Sequence, residues 1–231
     1  MKINVPANFL THTKYEADRG LIRSWLLASL LKASGIWGSG LDTLLTALRD
    51  IIREDSGEGF PAEALRSAMA QRGKPLTFSE PEIDQLVDLE YGDRRAFLML
   101  SILYPFVDLR NKFHVDHVFP KALLTQTGLK KAGVPDEQIA WITQRRNRLA
   151  NLELLDGAEN NEKRRKLPAE WMEQRYRNVA ERKHHLELYD MSPELPTGLD
   201  GFCSFYEARR SRLRAPWRAP LGSFLFRAQH C

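Results

Sequence analysis

The chain holds only two cysteines, Cys203 and Cys231, among its 231 residues. Two cannot build a disulfide framework or a four-cysteine zinc site, and no CxxC pair occurs. Long apolar runs are also missing. The richest, LIRSWLLASLL at 21–31, is interrupted by Arg23 and falls short of the ~20 residues a bilayer span needs. It follows mostly polar residues and lacks the layout of a secretory signal. These absences lead to the expectation of a reducing, cytoplasmic setting with no membrane partner. There is no internal repeat and no low-complexity tract. What is present, 43% hydrophobic and 28% charged residues, is ordinary for a folded domain with a sizeable core.

Charge is unevenly divided. Residues 1–109 carry 12 Lys/Arg against 15 Asp/Glu, whereas residues 110–185 carry 16 against 10. Residues 186–200 hold four acids and no base, and residues 201–231 hold six Arg against one Glu. Positive charge thus gathers in the middle segment and the C-terminal tail, the footprint expected of a polyanion binder. By itself a Lys/Arg run is more often a solvated helix face.

The first 109 residues read as a helical platform. Leu21, Ile22, Trp25, Leu26 and Leu30 recur at helical spacing. After the GIWGSG turn, Leu41, Leu44, Leu45, Leu48, Ile51 and Ile52 make a second stripe. PAEALRSAMAQRG at 61–73 has Pro at its start and Gly at its end. SEPEIDQLVDLE opens like a helix N-terminus, and YGDRRAFLMLSILYPF follows as a hydrophobic helix.

Near residue 110 the character changes. KFHVDHVF alternates as a short strand stopped by Pro120, placing two of six histidines, His114 and His117, around Asp116. A helical insertion, PDEQIAWITQRRNR at 135–148, precedes NLELLDG, a second strand ending in a turn at Asp156-Gly157. ENNEKRRKLPAEW then opens another helix. The expected fold class is α+β, mainly helical, with a ββα unit. It divides into a platform over 1–109, a core over 110–185, and a basic helical segment over 186–231 packing on that core.

DHVFP, NLELL and ENNEK, taken in order, resemble the HNH branch of the His-Me finger nucleases, with its ββα-metal motif. The nine-residue step from Asn151 to Asn160 and the N-x-x-K of Asn160 and Lys163 fit that pattern. More narrowly, FHVDHVFP with NRLANLELL and K-L-P-A-E-W resembles the nuclease half of GmrSD-type restriction and phage-defence proteins. The resemblance spans about residues 113–171. It implies a metal-dependent DNA endonuclease that nicks as a monomer and makes double-strand breaks as a dimer. A ParB-like, nucleotide-using domain or subunit is the implied partner. Two features depart from the pattern: the paired cysteines of a structural zinc are missing, and 33 residues separate His117 from Asn151.

The chemistry accounts for the residue types. An imidazole takes a proton from water at neutral pH, the role expected of His117. Asp116 and Asn160 offer oxygen ligands suited to Mg²⁺ or Mn²⁺. Asn151, grouped with His117 in the catalytic set, is expected to hold the two ends of the motif together by hydrogen bonds. Lys163, Arg164, Arg165 and Lys166 are expected at phosphates, and His114 at the substrate side or in packing. Asn161 competes with Asn160 for the ligand role, and Asn160 could instead be an N-cap. His184-His185 reads as a solvated face. The competing functions are a nucleic-acid-binding module that lost turnover, and a helical regulatory protein.

Overall fold

In the computed structural model of the chain, residues 18–55, 59–104, 106–107 and 113–215 are described. They fall into two units, one within Met1–Phe78 and one within Ser79–Ala219. The expected tail beyond residue 215, with Cys231, lies outside the described residues.

The apolar stripes of the first unit become helices where their spacing places them: α1 (Arg19–Leu31), the single turn α2 (Ala33–Ile36), α3 (Leu41–Glu54) and α4 (Ala62–Gln71). Leu44 and Leu48 on α3 meet Leu65 and Met69 on α4, with Ile36 and Phe60 closing the core. Trp25 packs edge-on against Trp37 and Phe60 at 6.3 and 6.0 Å. The Lys74 ammonium gathers the carbonyls of Gly35, Ile36 and Ser39 at 2.8–3.2 Å, tying the turn after α2 to the residues that follow α4.

The second unit begins with two helices the sequence grouped with the platform, α5 (Glu80–Val87) and α6 (Arg94–Leu103). A capping box starts α5, where the Glu82 carboxylate accepts from Ser79 N–H at 2.7 Å. Asp93 caps α6 by accepting from Arg95 N–H at 2.8 Å. Then come β1 (Phe113–His117), α7 (Gln126–Lys131), α8 (Asp136–Arg145), a 3₁₀ turn (Leu149–Asn151), β2 (Leu152–Asp156) and α9 (Gly157–Lys163). α10 (Pro168–Arg175), α11 (Val179–Leu188), a second 3₁₀ turn (Leu199–Gly201) and α12 (Phe202–Arg214) complete it.

β1 and β2 pair antiparallel, with Asp116 opposite Glu153 and His117 opposite Leu152. β2 is buried from Leu152 to Leu155, whereas β1 is only partly buried from Phe113 to Asp116. α9 packs on both strands. The result is α+β and mainly helical, with one two-stranded sheet among the described residues. No described helix is long and apolar enough to cross a membrane.

Helix α12 holds the unit together from one side. Phe202 and Phe205 pack on Phe119, just beyond β1, at 5.3 and 5.1 Å. Arg209 is fully buried, donating to the carbonyls of Tyr189 and Ala150 and to the Tyr104 hydroxyl. Arg210 and Arg214 reach Asp88 and Asp84 of the α5 region at 2.8 Å. Among the described residues, these arginines of the C-terminal segment are therefore paired within the protein.

Candidate functional site

His117 ends β1, and the residue is 8% exposed. Strand alternation puts His114 and Asp116 on one face of the sheet and His117 on the other. On its own face, His117 meets residues from two distant segments. Its Nε2 lies 3.1 Å from Asn147 Oδ1. An amide oxygen only accepts, so this contact calls for the tautomer in which Nε2–H donates, and in the neutral ring that leaves the lone pair on Nδ1. The Tyr91 ring packs on the imidazole at 4.8 Å between centroids. Burial pushes the imidazole below the ordinary histidine range, against the opposing pull of the Asn147 bond and the Asp116 charge. Burial thus favours the neutral ring, the form a proton acceptor needs.

The segment bearing Tyr91 is fastened to the end of the helical insertion. Tyr91 N–H donates to Asn147 O at 2.7 Å, Leu149 N–H donates to Leu89 O at 2.8 Å, and Glu90 forms an isolated bridge with Arg148. Residues 89–91 thereby run antiparallel to 147–149, which lead into the 3₁₀ turn that carries Asn151.

Asn151 is fully buried. Its Oδ1 accepts from Phe119 N–H at 2.8 Å, and its Nδ2 donates to Phe119 O and Arg146 O at 3.1 and 2.8 Å. Its own carbonyl accepts from Val118 N–H. The side chain thus ties the residues after β1 to those before β2. It is a positioning residue in the site rather than a group that meets substrate.

On the opposite face, Asp116 and Glu153 stand side by side across the ladder, where two like charges destabilise a strand pair. Lys163 of α9 resolves the conflict. Its ammonium donates to Asp116 Oδ2 at 2.5 Å, to Glu153 Oε1 at 2.8 Å and to the His117 carbonyl. Glu153 is 1% exposed; desolvation alone would raise its carboxyl, but the charge of Lys163 and its hydrogen bond hold it below the usual range. The expectation that Lys163 grips a phosphate is corrected here. The residue is 1% exposed and its three N–H donors are all used inside the protein.

Asn160 precedes Lys163 by three residues on α9, a spacing that puts two residues on neighbouring positions of one helix face. Asn160 is half-buried, whereas Asn161 is exposed and lines an open groove. Asp156, not Asn160, caps α9, accepting from Ala158 and Glu159 N–H at 2.8 Å. His114 is half-buried, with its Nε2 against Gly157.

The groove is bordered by Asn161, Glu162, Arg164, Lys166, Trp171 and Arg175, among others. Arg164 has φ 49° and ψ −112°, a left-handed conformation costly for a side chain with a Cβ. Lys166 sits over Trp171 at 5.4 Å, and Arg175 pairs with Glu159 at 3.0 Å. Arg165 is exposed but is not among the groove residues. The basic QRRNR segment is mostly engaged internally: Arg145 over Trp141, Arg146 on the Leu124 carbonyl and Arg148 with Asp88. His185 is no solvated residue either. Its Nδ1 meets the Tyr176 hydroxyl at 2.8 Å and its ring stacks on Tyr189 at 4.4 Å.

Sequence reasoning missed Asn147, Tyr91 and Glu153. Only Glu153 left a signal, as the single charge inside NLELL.

No protein-family model and no curated protein matches the chain. Among the described residues no three or more His, Cys, Asp or Glu side chains cluster as a metal cage. Asp116 and Asn160 offer a different donor set, one carboxylate and one amide oxygen. Asp116 gives only Oδ2 to Lys163, and its side chain is 22% exposed. Few protein oxygens with room left for water and phosphate suit a hard cation of the Mg²⁺ type.

Proposed function

We propose that the chain is a metal-dependent endonuclease of the HNH, His-Me finger type, hydrolysing DNA phosphodiesters to 5′-phosphate and 3′-hydroxyl ends. The observation that carries this reading is the placement of His117: a buried imidazole at the end of β1, with Nε2 3.1 Å from Asn147 Oδ1, which leaves Nδ1 as the nitrogen to accept a proton. His117 takes the proton from the attacking water. Asn147 and Tyr91 hold its ring, and Asn151 fixes the backbone on either side. Asp116 and Asn160 would hold Mg²⁺ or Mn²⁺, which supplies charge neutralisation at the phosphate and at the departing 3′ oxygen. His114, on the Asp116 face, stands on the substrate side.

The order of the Asp116-His117, Asn151 and Asn160 motifs supports a place in bacterial restriction or anti-phage defence. There a ParB-like, nucleotide-using domain or subunit would choose the target. The test is cleavage of an end-labelled duplex with Mg²⁺, Mn²⁺ or EDTA. EDTA abolishes cleavage under this reading, and Asp116→Ala and Asn160→Ala lose it in Mg²⁺ with partial recovery at higher Mn²⁺. Cleavage that survives EDTA, or is unchanged in both variants, contradicts the metal assignment.

The groove beside α9 supports a path for the nucleic-acid backbone, with Arg164, Lys166 and the neighbouring Arg165 as its cations. Neutralising all three leaves up to three phosphates without a protein cation. The slope of log K against log salt is expected to fall by up to about 0.9 for each such phosphate, as counterion release requires. A slope equal to the parent's places these residues off the phosphates.

One observation favours a second reading. Lys163 sets a cation directly on the carboxylate assigned to the metal, an arrangement a non-catalytic nucleic-acid-binding or regulatory module would also tolerate. Salt-sensitive DNA binding with no cleavage in any divalent metal would select that reading.

A further inference from the structure

We infer that Tyr91 is a substrate-contacting residue, its open ring face receiving the sugar or base of a nucleotide beside the scissile phosphate. The inference rests on the nuclease reading of His117 for the position of that phosphate, but not for the contact itself.

Tyr91 is 49% exposed, one of the few large side chains among the described residues with so much apolar surface in water. Isolated exposed aromatics are common and need no function. Tyr91 differs in what stands behind it. One face of its ring is backed by the imidazole of His117 at 4.8 Å with the planes tilted by 36°. Its backbone is pinned by the 2.7 Å bond from its N–H to Asn147 O, the same residue whose side chain holds His117. The next residue, Gly92, has φ 96°, which lets the chain turn away into α6 without crowding the ring. No hydrogen bond to the Tyr91 hydroxyl occurs among the described residues, so it is free to donate to a phosphate oxygen.

An aromatic face held rigid on one side and open on the other is a stacking platform, and every nucleotide offers it a flat base and an apolar sugar edge. The cationic groove explains attraction to a polyanion in general. Tyr91 explains contact within one residue's reach of the proton acceptor, from a segment that otherwise belongs to the helices before β1.

The test is anisotropy of a labelled DNA oligonucleotide, single-stranded and as a duplex, titrated in EDTA so that no cleavage intervenes. Parent, Tyr91→Ala, Tyr91→Phe and Tyr91→Trp proteins are compared, with circular dichroism to confirm folding. Tyr91→Ala is expected to weaken binding by about 5- to 100-fold, the usual loss for one stacked nucleotide, with Trp restoring it. A loss confined to single strands assigns the contact to a base; an equal loss on both substrates assigns it to the sugar. Parent affinity in Tyr91→Ala overturns the inference, as does failure of the parent protein to bind either DNA. Parent protein that binds through Tyr91 yet never cleaves with metal leaves the contact standing and removes the nuclease reading.

Discussion

His117→Ala lowers the cleavage rate by about 10²–10⁴-fold, the usual contribution of a positioned general base, while DNA affinity stays close to that of the parent. The separation of the two effects follows from geometry. The residue is 8% exposed and its ring meets Asn147 and Tyr91, so it adds little surface for gripping a polyanion. Its contribution belongs to the chemical step, and a group used only there affects turnover and not ground-state binding. Single-turnover cleavage beside anisotropy titration separates the two. A variant that binds poorly but turns over at the parent rate would make His117 a binding residue and remove the proton acceptor from the account.

Lys163→Ala unfolds or loosens the second unit, with an expected cost of about 3–5 kcal/mol, the range for breaking a buried ion pair by deleting one partner. Glu153 is 1% exposed and would be left as an uncompensated charge directly opposite Asp116. The pair's charges are not the main source of stability, because their removal from water offsets most of their attraction. Joint replacement by Lys163→Met and Glu153→Leu is therefore expected to recover most of the loss. Urea denaturation of the single and double variants checks both parts. A single variant within about 1 kcal/mol of the parent would show that Lys163 is solvated, since exposed pairs contribute no more than that. Lys163 would then return to the candidate phosphate contacts.

The helices were legible because their apolar residues recur at helical spacing: Leu44 and Leu48 at positions four apart are both core residues of α3. The two strands were legible for a different reason, the polar punctuation of Pro120 before the insertion and Asp156-Gly157 after NLELL. What the sequence did not disclose was the solvation of its charges. Lys163 follows Asn160 by three residues and precedes three further cations, and nothing in that spelling separates a buried ammonium from the exposed Arg164 and Arg165. Burial depends on Glu153 and Asp116 converging from two strands, and register between strands is a tertiary fact. Asn147 and Tyr91 were hidden by distance. They lie 56 residues apart, one inside a basic run and the other at a helix approach, and only the antiparallel pairing of 89–91 with 147–149 brings them to His117. The division after Phe78 was equally unreadable, because α5 and α6 read as further amphipathic helices like those of the preceding platform, and yet Asp84 and Asp88 of the α5 region are partners of α12.

The most direct test is conversion of supercoiled plasmid by the purified chain in Mg²⁺, beside EDTA and beside His117→Ala. One His117 per chain leads to the expectation of open-circular product first, in Mg²⁺ only and in the parent only. Nicking that persists undiminished in His117→Ala, or in EDTA, would contradict the assignment of this site as a metal-dependent nuclease.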